Sequence, residues 1–187
     1  MVSMSFTLQC GKSHTIEPAV GQDGSIEVLS FLPPLEGAIH ATCFDIKDEN
    51  GNILLHVSLR PSWNTIALNS RPAGKDWENE SSIPFQDNLP ASKIARICIL
   101  DRGDNYLVTF SDGAGTKFPK SALQINQKAH SIDYYAGEGR PILSNPVNVN
   151  ARSEEQPYGS SSSASIHVNI NLTASAPRNM HFEMILR

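Results

Sequence analysis

Twelve prolines and twelve glycines are spread along this chain of 187 residues and leave few windows long enough for an α-helix. Between them lie short runs in which apolar and polar residues alternate, the signature of strands with one buried face. Gly24 to Leu32 is such a run and stops at Pro33-Pro34; Ala38 to Asp45 alternates again. Asn50-Gly51 within Asp48 to Asn52 marks a hairpin turn that leads into Ile53 to Arg60, and Asn64 to Ser70 is its expected hairpin partner. Weaker strands are predicted over Ser5 to Leu8 and His14 to Val20, and further ones over Trp77 to Phe85, Lys93 to Asp101, Tyr106 to Phe110, Thr116 to Phe118, Ser131 to Tyr135 and Asn145 to Asn150. About ten or eleven short strands at regular spacing read as an all-β chain folded as an antiparallel β-sandwich. Pro119 to Gln127 has room for one helical turn.

The composition changes near residue 150. Residues 1–150 carry the strand series and read as one domain. Ala151 to Ser165 is polar and Ser-rich, with Ser160 to Ser163 unbroken, and reads as a flexible linker. Over 166–187, Ile166, Val168, Ile170 and Leu172 alternate with polar residues, as do Met180, Phe182, Met184 and Leu186. These predict a C-terminal β-hairpin extension, too small to be stable alone, that docks on the sandwich or on another subunit.

Hydrophobic residues make up 40% of the chain, enough for a core, whereas charged residues are 18% and the net charge is −4. A mildly acidic chain without basic clusters is a poor partner for nucleic acid or an anionic membrane surface. No apolar run approaches the roughly 18 residues of a spanning helix, so membrane insertion is not expected. Met1 to Lys12 lacks the basic start and apolar block of a secretory signal. Cys10, Cys43 and Cys98 are far apart and odd in number, which suits buried thiols in a reducing compartment rather than a disulfide framework. Cytoplasmic synthesis is the expectation.

Enzymatic signatures are missing. Neither Gly11-Lys12 nor Gly74-Lys75 has the upstream glycine of a P-loop, and no dinucleotide, nucleophile-elbow or zinc-protease motif is present. The histidines are dispersed without metal-ligand spacing, so no metal and no cofactor are expected. Arg102-Gly103-Asp104 reads as a hairpin turn, because Gly and Asp are ordinary turn residues.

One stretch stands apart. On an extended strand, His56, Ser58 and Arg60 share a face, and Ile53, Leu55, Val57 and Leu59 share the other. On the following strand Thr65, Ala67 and Asn69 share a face opposite Ile66 and Leu68. Paired antiparallel, the two strands bury an aliphatic side and present imidazole, guanidinium and amide on the other. That mixed set of donors and acceptors suits the paired hydroxyls of a sugar. Trp77 adds a flat apolar surface for the C–H face of a galactose ring, and Glu80 adds an acceptor that can hold Arg60. From spacing alone, the same residues also fit an ordinary polar sheet face beside a partly buried tryptophan. The carboxylates form no recognisable catalytic pair, so a hydrolase is the weakest reading.

The run Leu54 to Arg60, then Asn69-Ser70-Arg71, then Trp77-Glu78-Asn79-Glu80 resembles the carbohydrate-recognition motif of the galectins, most of all the single-domain galectins of fungi. Ile99 to Tyr106 and Ser131 to Gly137 are also similar to galectin strands, so the resemblance covers about residues 20 to 150. It implies a jelly-roll sandwich and a non-catalytic, β-galactoside-binding lectin, with any export by a leaderless, non-classical route, assembled as a homo-oligomer, a dimer or tetramer. By the same resemblance, His56 and Arg60 bond the axial 4-hydroxyl of galactose, Asn69 and Glu80 bond the 6-hydroxyl, and Trp77 stacks on the ring. Arg60 and Glu80 also reach the next sugar. Ser58 stands where many galectins have Asn. The family has an arginine two residues after the glutamate; here that position is Ser82, too short to orient Glu80 or touch a second sugar. Arg71 and Lys75 are the candidate replacements from the adjacent turn. Ser82 opens one alternative, a galectin-fold lectin for N-acetylated or chitooligosaccharide-type glycans; a second alternative is a sandwich interaction module without sugar binding.

Overall fold

The computed structural model describes residues 1–35, 41–91, 93–111, 113 and 115–154. The predicted strands form, with shifted ends: β1 (Val2–Leu8), β2 (Lys12–Val20), β3 (Ser25–Leu32), β4 (Thr42–Lys47), β5 (Ile53–Arg60), β6 (Thr65–Arg71), β7 (Ser81–Pro84), β8 (Lys93–Asp101), β9 (Asn105–Phe110), β10 (Thr116–Pro119), β11 (Ala129–Ala136) and β12 (Val147–Ser153). A single turn of helix, α1 (Phe85–Asn88), follows β7.

The strands make two six-stranded sheets, ordered β1-β12-β3-β8-β9-β10 and β2-β11-β4-β5-β6-β7, with every neighbouring pair antiparallel. They belong to one unit, Met1–Gln156. The sheets pack face to face because alternate residues of each strand are apolar. Val28, Ile97, Ile99, Val108, Phe110 and Val149 come from one sheet; Phe44, Ile46, Leu55, Val57, Leu59, Ile66, Leu68 and Tyr134 come from the other. All are nearly solvent-free, and each such burial stabilises the fold by roughly 1.5–3 kcal/mol. Phe44 and Tyr134, partners across β4 and β11, stack with ring centroids 4.9 Å apart.

The turns follow their local chemistry. Asp48 accepts from the backbone N–H groups of Asn50 and Asn52, and Gly51 takes a left-handed φ of 79°, which closes the β4–β5 hairpin. Arg102-Gly103-Asp104 is the β8–β9 turn, with Gly103 at φ 85°. Pro119 ends β10, and 120–127, where the sequence leaves room for a helical turn, is built from turns instead, closed where Gln124 Oε1 accepts from the Ser121 backbone. Beneath it Lys120 and Asp101 form a buried ion pair at 2.7 Å, with Lys120 Nζ 4.4 Å from the Tyr106 ring centre.

Several expectations change. The strand predicted over Ala38 to Asp45 begins at Thr42 and runs on to Lys47, and residues 38–40 lie outside the described set. The run predicted over Trp77 to Phe85 is a strand only from Ser81 to Pro84; Trp77 to Glu80 form a loop. Ala151, Arg152 and Ser153, assigned to the linker, are the end of β12, where they pair with β1 and β3. The rest of the linker and the predicted 166–187 hairpin lie outside the described residues. All three cysteines are free, but only Cys43 is buried.

Candidate functional site

The outward faces of β4, β5, β6 and β7 line up in rows set by register. One row is Asp45, His56 and Asn69; the next is Cys43, Ser58, Ala67 and Ser82; a third is Arg60, Thr65 and Pro84. The side chains expected to share a face therefore do so. They are far less exposed than a simple polar face predicts: His56, Ser58 and Asn69 retain 7%, 1% and 6% of their accessible surface. The side chains cover one another.

His56 is fixed from below. Its Nδ1 lies 2.6 Å from Asp45 Oδ1, and Tyr135, across from Cys43 on β11, donates its hydroxyl to both Asp45 oxygens at 3.3 and 3.2 Å. Burial works against a charged ring, but the bonds to Asp45 and Cys43 and the negative charge beneath outweigh it, so the pKa rises from 6.5 to about 9. At neutral pH His56 is an imidazolium. It carries a donor on each nitrogen, and Nδ1 is committed to Asp45. Burial, and after it the Asp45 charge, pushes the Tyr135 phenol far above its usual range, so it remains a donor.

Arg60 lies back along its own strand. Its Nε donates to Ser58 Oγ at 3.0 Å, and its two terminal nitrogens donate to the two Glu80 oxygens at 3.0 and 2.9 Å. Such a bidentate fork fixes both planar groups in orientation. Asn69 Oδ1 accepts from the Ser70 backbone at 2.8 Å, which orients its amide. Trp77 is 42% exposed and stands beside His56, with ring centroids 4.7 Å apart and planes tilted by 52°. Its loop is clamped to β6: Glu78 N–H donates to the Ser70 carbonyl at 3.0 Å, and Ser70 Oγ donates to Glu78 Oε2 at 2.6 Å.

The predicted helpers fall elsewhere. The Arg71 guanidinium sits over the Trp77 ring, 4.6 Å from its centre, and so braces the indole. Lys75 is an exposed turn residue, and Ser82 faces Ala67 in the row of small side chains. Among the described residues, Arg60 is the cation that holds Glu80. Asp45, Tyr135, Ser70 and Glu78 hold these side chains in place, and neither motif nor alternation marks them in the sequence. Asp45 and Tyr135 are 90 positions apart, and only the sheet register brings them under His56.

No protein-family model matches the chain. Galectin-1 of the fungus Coprinopsis cinerea is 32% identical over 109 residues, which cover 58% of this chain and 69% of that protein. The chain belongs to the galectin family. Solved galectins share its fold. A Caenorhabditis elegans galectin superposes with a TM-score of 0.61 at 14% identity, over 80% of this chain and 96% of that one. A toad ovary galectin in complex with N-acetylgalactose gives 0.58 at 18% identity, over 76% and 98%. The sandwich expected from strand spacing is thus the galectin sandwich, and this galectin is a carbohydrate-binding lectin rather than an enzyme. No helix among the described residues is long and apolar enough to cross a membrane.

Proposed function

We propose that this galectin binds β-galactosides through His56, Ser58, Arg60, Asn69, Trp77 and Glu80. The observation that carries the reading is the Arg60–Glu80 fork, aligned on one face with the imidazolium of His56 and the half-open ring of Trp77. Galactose lies against Trp77, with its axial 4-hydroxyl between His56 and Arg60 and its 6-hydroxyl at Asn69 and Glu80. Arg60, already pinned by Ser58 and Glu80, gives up little freedom on binding. A shallow site of this kind binds with a dissociation constant on the order of 10 µM to 1 mM. Isothermal titration with lactose tests it: saturable binding in that range, lost in Trp77→Ala, supports the reading, and no heat with lactose or N-acetyllactosamine rejects it.

A second reading, preference for N-acetylated or chitooligosaccharide-type glycans, draws on Ser82. Ser82 is a small, exposed side chain two residues after Glu80, where a larger substituent on the second sugar finds room. A glycan array separates the two: binding that lactose cannot inhibit favours the second.

Weak single sites gain strength through multivalency, so assembly as a homo-oligomer is part of the proposal, with the C-terminal extension as the assembly element. The truncation that tests this must spare β12 and begin after Glu154. An unchanged mass by light scattering would remove the extension from that role. The three free thiols suit synthesis in a reducing compartment, with any export by a leaderless route.

A further inference from the structure

Trp63 is 71% exposed, more than Trp77 at 42%. Among the described residues Met1, Ile94 and Leu123 are as exposed, but Met1 is the first residue, Ile94 lies on β8 in the other sheet and Leu123 lies in the turns after β10. Trp63 instead stands at the end of β5, next to the site. The Arg60 guanidinium is 5.9 Å from the centre of its ring, and that same guanidinium is forked onto Glu80. Arg60 therefore has His56 and Trp77 on one side and Trp63 on the other. At about 3.4 Å per residue the strand advances about 14 Å from His56 to Arg60, before the turn that carries Trp63.

The backbone that presents Trp63 is held firmly. Pro61 opens a 3-10 turn, Pro61–Trp63, and Asn64 closes it in the left-handed region at φ 47° with its N–H on the Pro61 carbonyl at 3.0 Å. Thr65 Oγ1 donates to the Trp63 carbonyl at 2.9 Å. The Asn64 carbonyl and side-chain oxygen accept from the N–H groups of Phe85 and Gln86, at 3.0 and 2.9 Å, so the turn is tied to the start of α1. An indole on a fixed backbone, open to solvent beside a hydrogen-bonding fork, suits a ligand with an apolar face and a polar rim.

We infer that Trp63 is a second stacking platform, which takes a sugar ring beyond the one held at Arg60 and Glu80, so that the ligand is an extended galactoside of three or more rings. The inference rests on the galactoside reading above. It also gives a site without the motif arginine another source of affinity: the contact that Ser82 cannot make is offset further along the chain of sugars.

Isothermal titration with N-acetyllactosamine, and with lacto-N-neotetraose, which carries the same disaccharide at its non-reducing end, tests it on the full chain. The wild type should bind the tetrasaccharide about three- to tenfold more tightly than the disaccharide. Trp63→Ala should abolish that gain while leaving the disaccharide constant within about twofold, and Trp63→Phe should keep part of the gain. A gain that survives Trp63→Ala overturns the inference, as does no gain in the wild type or an equal loss for both sugars in Trp63→Ala. Melting temperatures equal to wild type exclude a folding defect as the cause. If the wild type binds neither sugar, the galactoside reading fails and the Trp63 inference falls with it; if it binds the disaccharide normally and only the gain is missing, the inference alone fails.

Discussion

β5 and β8 occupy the same place, fourth in a six-stranded antiparallel sheet, and both alternate in sequence, yet their outward faces differ. On β8, Ile94 and Arg96 stand in solvent and Cys98 and Leu100 are half-buried. On β5, His56 and Ser58 are buried although their side chains also point out of the sandwich. Among the described residues, no further sheet covers β5. Its polar side chains are covered by other side chains: Arg60 bonded along Ser58, Trp77 against His56, Tyr135 on the same carboxylate. This second layer distinguishes the proposed binding face: its polar groups are dried and oriented by one another before any ligand arrives.

The contrast is broken most severely at Asp45. Asp45→Ala should lower unfolding free energy by about 3–5 kcal/mol in urea titrations, because it strips a buried partner from a charged histidine. It should also abolish lactose binding.

Next in size is pH. The folded-state pKa of His56 is raised, so its contribution to stability is complete below 6.5 and disappears as pH rises through about 9. Unfolding free energies from urea titrations at pH 6 and pH 10 should therefore differ by an amount on the order of 3 kcal/mol at most, and Asp45→Asn should flatten the difference. A pH-independent midpoint would show that Asp45 does not hold the charge.

Glu80→Gln comes third. It weakens the fork without emptying the site, so lactose affinity should fall about 10- to 100-fold by calorimetry while the melting temperature barely moves, the pair being partly exposed.

The smallest effect belongs to β8. Arg96 and Glu27 also pair across neighbouring strands, at 2.5 Å, but the Arg96 side chain is 53% exposed. Arg96→Ala should change stability by less than about 1 kcal/mol and leave lactose binding intact. A loss comparable to that of Asp45→Ala would erase the distinction between the two faces.

Much of this was legible in the chain. Ile53 to Arg60 and Thr65 to Arg71 announce their strands and their sidedness by alternation, and the order of His56, Arg60, Asn69, Trp77 and Glu80 points to the family. The layer under and around the site was not. Asp45 looks like one acidic residue before a turn, and Tyr135 like one aromatic in a distant strand, because alternation assigns a residue to a face but says nothing of which strand lies beside it. Arg71 shows a related limit: its charge suggests Glu80 as a partner, and nothing in the sequence indicates that its guanidinium lies over the Trp77 ring. Trp63 belongs to a turn, where periodicity carries no information.

The Ser70–Glu78 clamp has a practical consequence for protein engineering. It closes the loop at its base, so the tip is a replaceable cassette: Ala73, Lys75 and Asp76 are exposed, and the Ala73 contact to Asn52 uses only the backbone N–H. Display libraries diversified at those positions should keep the parental melting temperature and could be selected for new glycans, whereas libraries that also vary Glu78 should lose the placement of Trp77 and yield few binders.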